Sequence, residues 1–270
     1  MSTFVIPPDL LESLNTSAEG LKSAAKKFTA DPLIPGKYSQ ITSIVSSAQK
    51  RHGNLLEQAI LARLKQSPGL EIWTEPEFNV SSSAEALVSS YLSNPELAKK
   101  TDIPYQQSNS SRVRSMQIDL IAYDKTKKSL ISYEIKRGNG MHDSKSKAAM
   151  LKNLVCQQTL LKSYGEQKGF KVSKADSKAI FYYGKCSLPK EYSLVKEDLD
   201  SHFDFSLVEF VEEVTELYRQ KVIRIVEELI DPEASGLREQ IASILSSQLE
   251  KQGKEKNTPK DSWLKSIFIR

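Results

Sequence analysis

Two cysteines, Cys156 and Cys186, and three histidines are all that the 270 residues offer in soft metal ligands. Two thiols cannot build a disulfide framework or a four-cysteine zinc site, so a reduced, cytoplasmic setting is expected. His52, His142 and His202 are scattered and suggest neither a zinc site nor a Ser–His–Asp triad. No CxxC, HExxH, GxSxG or GxxxxGK(S/T) occurs, which excludes the commonest zinc enzymes, the hydrolase nucleophile elbow and the P-loop. No window approaches the roughly 18 to 20 apolar residues of a membrane span. The opening MSTFVIPPDLLESL has no basic n-region, so no signal peptide is expected.

What is present is close to ordinary: 39% apolar and 27% charged residues, with a net charge of +4. The charge is unevenly placed. Arg112–Lys152 holds ten Lys or Arg against four Asp or Glu, and such a basic patch on a nearly neutral chain suits a polyanionic partner. A solvated surface gives the same count, so charge alone does not decide.

Apolar periodicity predicts a helix over residues 10–27, a second from Ile41 to Ala48, and a third beyond Gly53 carrying Leu56, Ile60 and Leu64. Pro68-Gly69 ends it. Residues 70–80 read as a strand. Residues 81–116, rich in Ser, Asn and Gln, read as an insertion with a short helix at Ala84–Leu92. Gln117–Tyr123 and Leu130–Lys136 read as two strands of a hairpin across the polar turn 124–128. A helix over 145–164 follows, capped by Asp143 or Ser144 and stopped by Gly165. Then come a strand over 178–183, a long amphipathic helix over 207–229, and another helical stripe from Leu237 to Leu249. The order is that of an α/β layer with helical N- and C-terminal additions. It divides into a helical region 1–49, a core 50–190 and a helical region 191–270.

Two acids fall inside the apolar strands. Asp119 has Ile118, Leu120 and Ile121 around it, and Glu134 has Tyr133 and Ile135. Unpaired carboxylates are costly in a packed layer. Glu134 and Lys136 point the same way from their strand, and pairing of the hairpin brings Asp119 near Glu134. Two close carboxylates repel, and a divalent cation relieves that repulsion. Magnesium favours such a site, with one or two carboxylates, waters and a substrate phosphate. The lysine can orient water or stabilise charge on phosphate oxygens. On spacing alone, Glu134 and Lys136 on the solvent side of an edge strand explain the pattern as well.

Asp119 and the triplet Glu134-Ile135-Lys136, in this order of elements, resemble the PD-(D/E)XK nuclease superfamily over roughly residues 50–185. The resemblance implies a restriction-endonuclease-like mixed central sheet flanked by helices. It implies Asp119, Glu134 and the carbonyl of Ile135 as Mg2+ ligands and Lys136 as the residue that positions the attacking water. A glutamate on the first helix completes the site in several branches, and Glu57 is the candidate. Asn54 and Glu57 also have the spacing of a capping box, and both readings stay open. Ile118 stands where the superfamily has proline.

The expected activity is that of a magnesium-dependent endonuclease cutting double-stranded DNA. A single chain without helicase or methylase motifs resembles a Type II restriction endonuclease, part of a restriction-modification pair and acting as a homodimer. Arg112, Arg114, Arg137, Lys145 and Lys147 are the candidate DNA contacts. Gln157 and Gln158 either point at the site or form an ordinary polar face. The alternatives are a catalytically silent DNA-binding module of the same fold, a structure-specific or repair nuclease, and a helical interaction protein whose hairpin acids are surface decoration.

Overall fold

The structure, a computed structural model, describes residues 4–34, 36–94, 103–106, 112–138, 143–183, 186 and 188–231. The stripe 237–249, His142 and the Gly140 turn lie outside these residues.

The chain runs α1 (Pro8–Lys26), α2 (Gly36–Lys65), β1 (Leu70–Ser81), α3 (Ser82–Ser93), β2 (Arg112–Asp124), β3 (Ser129–Gly138), α4 (Ser144–Gln167), β4 (Lys174–Tyr183), β5 (Ser193–Val195), α5 (Leu199–Phe203) and α6 (Val208–Ile230). The strands form one mixed sheet in the order β1-β2-β3-β4-β5. The first two pairings are antiparallel and the last two parallel. The chain is therefore α/β, with α4 as the crossover that a parallel β3–β4 pair requires.

Helices cover both faces. On one, the stripes of α1 (Leu10, Leu14, Leu21), α2 (Ile44, Leu56, Ile60) and α6 (Phe210, Val214, Tyr218) meet Leu120, Tyr133, Ile135 and Ile180 of the sheet. On the other, α3 and α4 pack Val88, Leu154, Leu160 and Tyr164 onto Ile118, Ile121, Leu130 and Phe181. Among the described residues no helix is long and apolar enough to cross a membrane.

One strand, β5, falls inside the stretch 191–270 expected to be helical, its three residues being too short a run to show a period; three further expectations change. First, the two helices expected on either side of Gly53 are one helix of 30 residues. A Cβ at Gly53 would meet nothing within 4 Å, and a lone helical glycine costs only about 1 kcal/mol, which the buried face on either side outweighs. α2 therefore passes without a break through residues 49 and 50. Second, α4 does not stop at Gly165. That glycine is buried, and a Cβ there would come within 2.5 Å of Leu130 and 2.8 Å of Val172. It is there for close helix–sheet packing, and the chain turns at Gly169, whose φ is +91°. Third, the insertion is shorter than expected, because Arg112–Met116 already pairs with β1.

Candidate functional site

β2 carries an irregularity where it matters. Trp73 pairs with Ile121 and Glu75 with Ile118, so two steps along β1 face three along β2. The extra residue puts Ile118 and Ile121 into the same core while Leu120 enters the opposite one. Asp119 sits at this bulge, a device that re-aims a side chain or ends a pairing. The β2–β3 ladder ends at Leu120↔Tyr133. One step further, the Asp119 carboxylate substitutes for the strand: its Oδ2 accepts the Ile135 N–H at 2.8 Å. In an extended strand the N–H and C=O of one residue point to the same edge, so the Ile135 carbonyl faces the same opening.

Glu134 and Lys136 share a face of β3, and Lys136 Nζ lies 2.5 Å from Glu134 Oε1. Both side chains are partly buried. Burial pushes the Glu134 carboxyl above its ordinary value; Lys136 offsets part of the rise and Asp119 adds to it. Burial alone would lower the Lys136 ammonium, but Glu134, then Asp119 and Glu57, outweigh it and hold it above the usual lysine value.

Glu57 belongs to this group. It lies in the middle of α2, not at a helix start, so the capping-box reading fails: every preceding N–H there is already inside a helix. Its carboxyl is pushed up to about 7 by burial, then by Asp119, with Lys136 pulling down and Glu134 pushing up. The helix and the two strands thus bring three carboxylates within electrostatic reach of one ammonium.

Glu134 also lines a cavity of about 290 Å3 under the first half of α4, with Ser146, Asn153 and Gln157. The spacing 146, 149–150, 153, 157 is one helical face, a signal the sequence held. Gln157 is buried, and its Oε1 accepts from Ser132 and Ser177 hydroxyls, both at 2.9 Å. It ties α4 to the strand that carries Glu134. Gln158 turns away and donates to Asp176 at 2.9 Å. Asp143 caps α4, accepting the Ser146 N–H at 2.7 Å.

Half of the basic patch read from the sequence is paired with acids from other elements. Arg112 pairs with Glu77, Arg114 with Glu85 at 3.2 Å, and Lys152 with Glu85 at 2.5 Å. Lys125 and Lys127 pair at the far end of the hairpin. Arg112 and Arg114 therefore fasten the β1–β2–α3 edge. Arg137, Lys145 and Lys147 have no acidic partner among the described residues. Lys145 is exposed and Lys147 half-buried at the start of α4; Arg137 leaves β3 on the side of α2 and α6. Cys156 is buried, its thiol pushed up to about 11 by burial and then Glu85, so it is an inert core residue.

Magnesium takes oxygen ligands and is held by one or two carboxylates with water and phosphate. The Asp119 and Glu134 carboxylates and the Ile135 carbonyl are oxygen donors of that kind. Among the described residues no three or more His, Cys, Asp and Glu side chains are gathered that could hold a metal ion, so water and substrate would supply the remaining positions.

No protein-family model matches the chain, and no curated protein or solved structure does.

Proposed function

We propose that the chain is a magnesium-dependent endonuclease of the PD-(D/E)XK kind, hydrolysing phosphodiester bonds of double-stranded DNA. One observation carries the reading: Asp119, turned by a bulge, lies with the Glu134–Lys136 ion pair where β2 and β3 part, and the Glu57 carboxyl on α2 feels the charges of all three. Partly buried acids that repel one another and share one cation are costly for folding, and sites of that kind cluster at function.

Asp119, Glu134 and the Ile135 carbonyl are the groups that would hold magnesium, which when bound supplies a Lewis acid for the phosphate and a more acidic water. Lys136, fixed by Glu134, donates to the attacking water or to a phosphate oxygen and adds positive charge where the transition state gains negative charge. Glu57, with its carboxyl near 7, is suited to accept a proton from water near neutral pH. Lys145 and Lys147 in the first turn of α4, next in sequence to Ser146 of the Glu134 cavity, suit backbone phosphates, which position a duplex without reading its sequence. Two-strand cleavage by a chain with one such site calls for a homodimer; a Type II restriction enzyme is the finer form of this reading.

The test is plasmid cleavage with magnesium, with EDTA, and with Glu134→Ala or Lys136→Ala. The expected result is cleavage abolished by EDTA and reduced by roughly 10² to 10⁴ in either variant. Discrete fragments identify sequence-specific restriction, and a smear identifies a structure-specific or repair nuclease. Tight, salt-sensitive binding without cleavage identifies a silent DNA-binding module and refutes the endonuclease.

A further inference from the structure

On the other face of β3 from Glu134 and Lys136, a second cavity of about 290 Å3 lies between α2, α6 and the carboxyl ends of β3 and β4. Open α/β sheets take ligands outside the carboxyl ends of their parallel strands. Arg137 follows Lys136 directly and enters this cavity, so the two sites share one strand end.

The wall is aromatic. The His52 and Tyr218 rings are nearly parallel, 12° apart with centroids at 6.0 Å, and Tyr183 lies 5.8 Å from His52. Arg137 Nε donates to His52 Nδ1 at 3.1 Å, and its guanidinium sits 5.6 Å from the Tyr183 ring centroid. His52 is held neutral: burial first, then Arg137, lower it to about 4. With Nδ1 accepting, Nε2 carries the proton toward Thr215 Oγ1, 3.2 Å away. This arrangement fixes the Arg137 side chain through Nε and leaves its terminal nitrogens without an acidic partner among the described residues. Arg219 at the rim pairs with Glu216. Val45 and Ile223, also at the rim, are 39% and 48% exposed.

His52 and Tyr218 are turned on each other and are 7% and 2% exposed, so the half-buried Tyr183 ring, the apolar lip of Val45 and Ile223 and the Arg137 guanidinium are what a flat heteroaromatic ring bearing a phosphate would meet. We propose that this cavity is a subsite for one unpaired nucleotide, its base against the aromatic wall and its phosphate on Arg137. A base inside a duplex offers only its edges, so the wall is reached by a base out of the stack: at a strand end, in an overhang, or flipped. The assignment of that nucleotide to the substrate strand rests on the endonuclease reading; the cavity's preference for a nucleotide does not. Together they make the substrate a DNA with an unpaired nucleotide next to the bond that is cut.

The test is done in EDTA on the full chain, so that binding is read without cleavage. Binding of dAMP is followed by saturation-transfer NMR. Fluorescence anisotropy then compares a duplex carrying a short single-stranded tail, the same duplex blunt, and the same tail without bases. Ile223→Glu sets a negative charge at the exposed lip, and Arg137→Gln removes the guanidinium; thermal melting by circular dichroism confirms that each variant folds. Expected are dAMP binding weakened roughly tenfold in both variants, and a roughly tenfold preference for the natural tail that both variants lose. Absence of dAMP binding to the unaltered chain, or dAMP binding that neither variant weakens, overturns the proposal. Binding of dAMP without any tail preference overturns the substrate-strand assignment and identifies a free nucleotide as the occupant. Plasmid cleavage is scored separately: a chain that binds dAMP and cuts nothing refutes the endonuclease and not the cavity.

Discussion

Glu57 shows how much a single position depends on its surroundings. In sequence it stands three residues after Asn54, the spacing of a cap; in the fold it is a half-buried acid within electrostatic reach of Asp119, Lys136 and Glu134. Its carboxyl rises from 4.5 to about 7, so between those pH values the folded chain keeps a proton that the unfolded chain has released. Stability therefore falls as pH rises through that window. Glu57→Gln removes the ionisation. The variant is expected to match the unaltered protein near pH 4 and to exceed it by about 1 kcal/mol at pH 8, the full shift being screened by water at the half-buried carboxylate. Urea unfolding at both pH values checks this, and equal stabilities at pH 8 refute it. The same variant is expected to lose the rise of plasmid cleavage around neutral pH if Glu57 accepts the proton. Asp119, Glu134 and Lys136 were legible as residues because acids and a lysine inside apolar strands stand out against the local pattern. Ser146, Asn153 and His52 do not stand out as site residues in the sequence, and Arg137 stands out only as a DNA contact and not as the partner of His52. Serine and asparagine are unremarkable on a helix, and the His52–Arg137 hydrogen bond joins positions 85 apart in sequence.

Among the elements, α2 and β2 separate what local pattern conveys from what it does not. Gly53 reads as a break, yet α2 continues through it with open space where a side chain would go. Gly53→Ala is expected to stabilise the protein by about 0.5 to 1 kcal/mol, measured as a rise in thermal midpoint; an unchanged or lower midpoint shows that the glycine has another role there. The hairpin of β2 and β3 was legible because alternation and a polar turn specify it locally. The bulge at Asp119 was not, because it exists only relative to the register of β1, a strand separated from β2 by the stretch between Ser81 and Arg112. A bulge moves an acid from one face of the sheet to its opening without changing a letter of the local pattern. Glycine at 165 was legible as a special position but not as the right kind: it admits Leu130 and Val172 instead of ending α4.

For the molecule as a whole, the N-terminal helix is part of the core and not an appendage. Leu14 and Leu21 of α1 are buried with α2, α6 and the sheet in one apolar layer. Leu21→Ala is expected to cost about 2 to 5 kcal/mol and to lower the stability of the candidate site with it, since α2 carries both Glu57 and the surface on which α1 rests. Denaturant unfolding followed by far-UV circular dichroism and by tryptophan fluorescence should give coincident transitions; separate transitions show that α1 folds apart from the sheet. The sequence by itself determined the α/β class, most of the helices and the strands β1 to β4, and it marked the acids and the lysine inside the strands, because hydrophobic period and buried-charge anomalies are local properties. Only the tertiary structure decided which charges survive. It paired Arg112 and Arg114 with acids from other elements, left Arg137, Lys145 and Lys147 without acidic partners among the described residues, and set Glu57 against the strand acids. Coulomb energy and desolvation depend on distance and burial in three dimensions, and neither is written in the order of the residues.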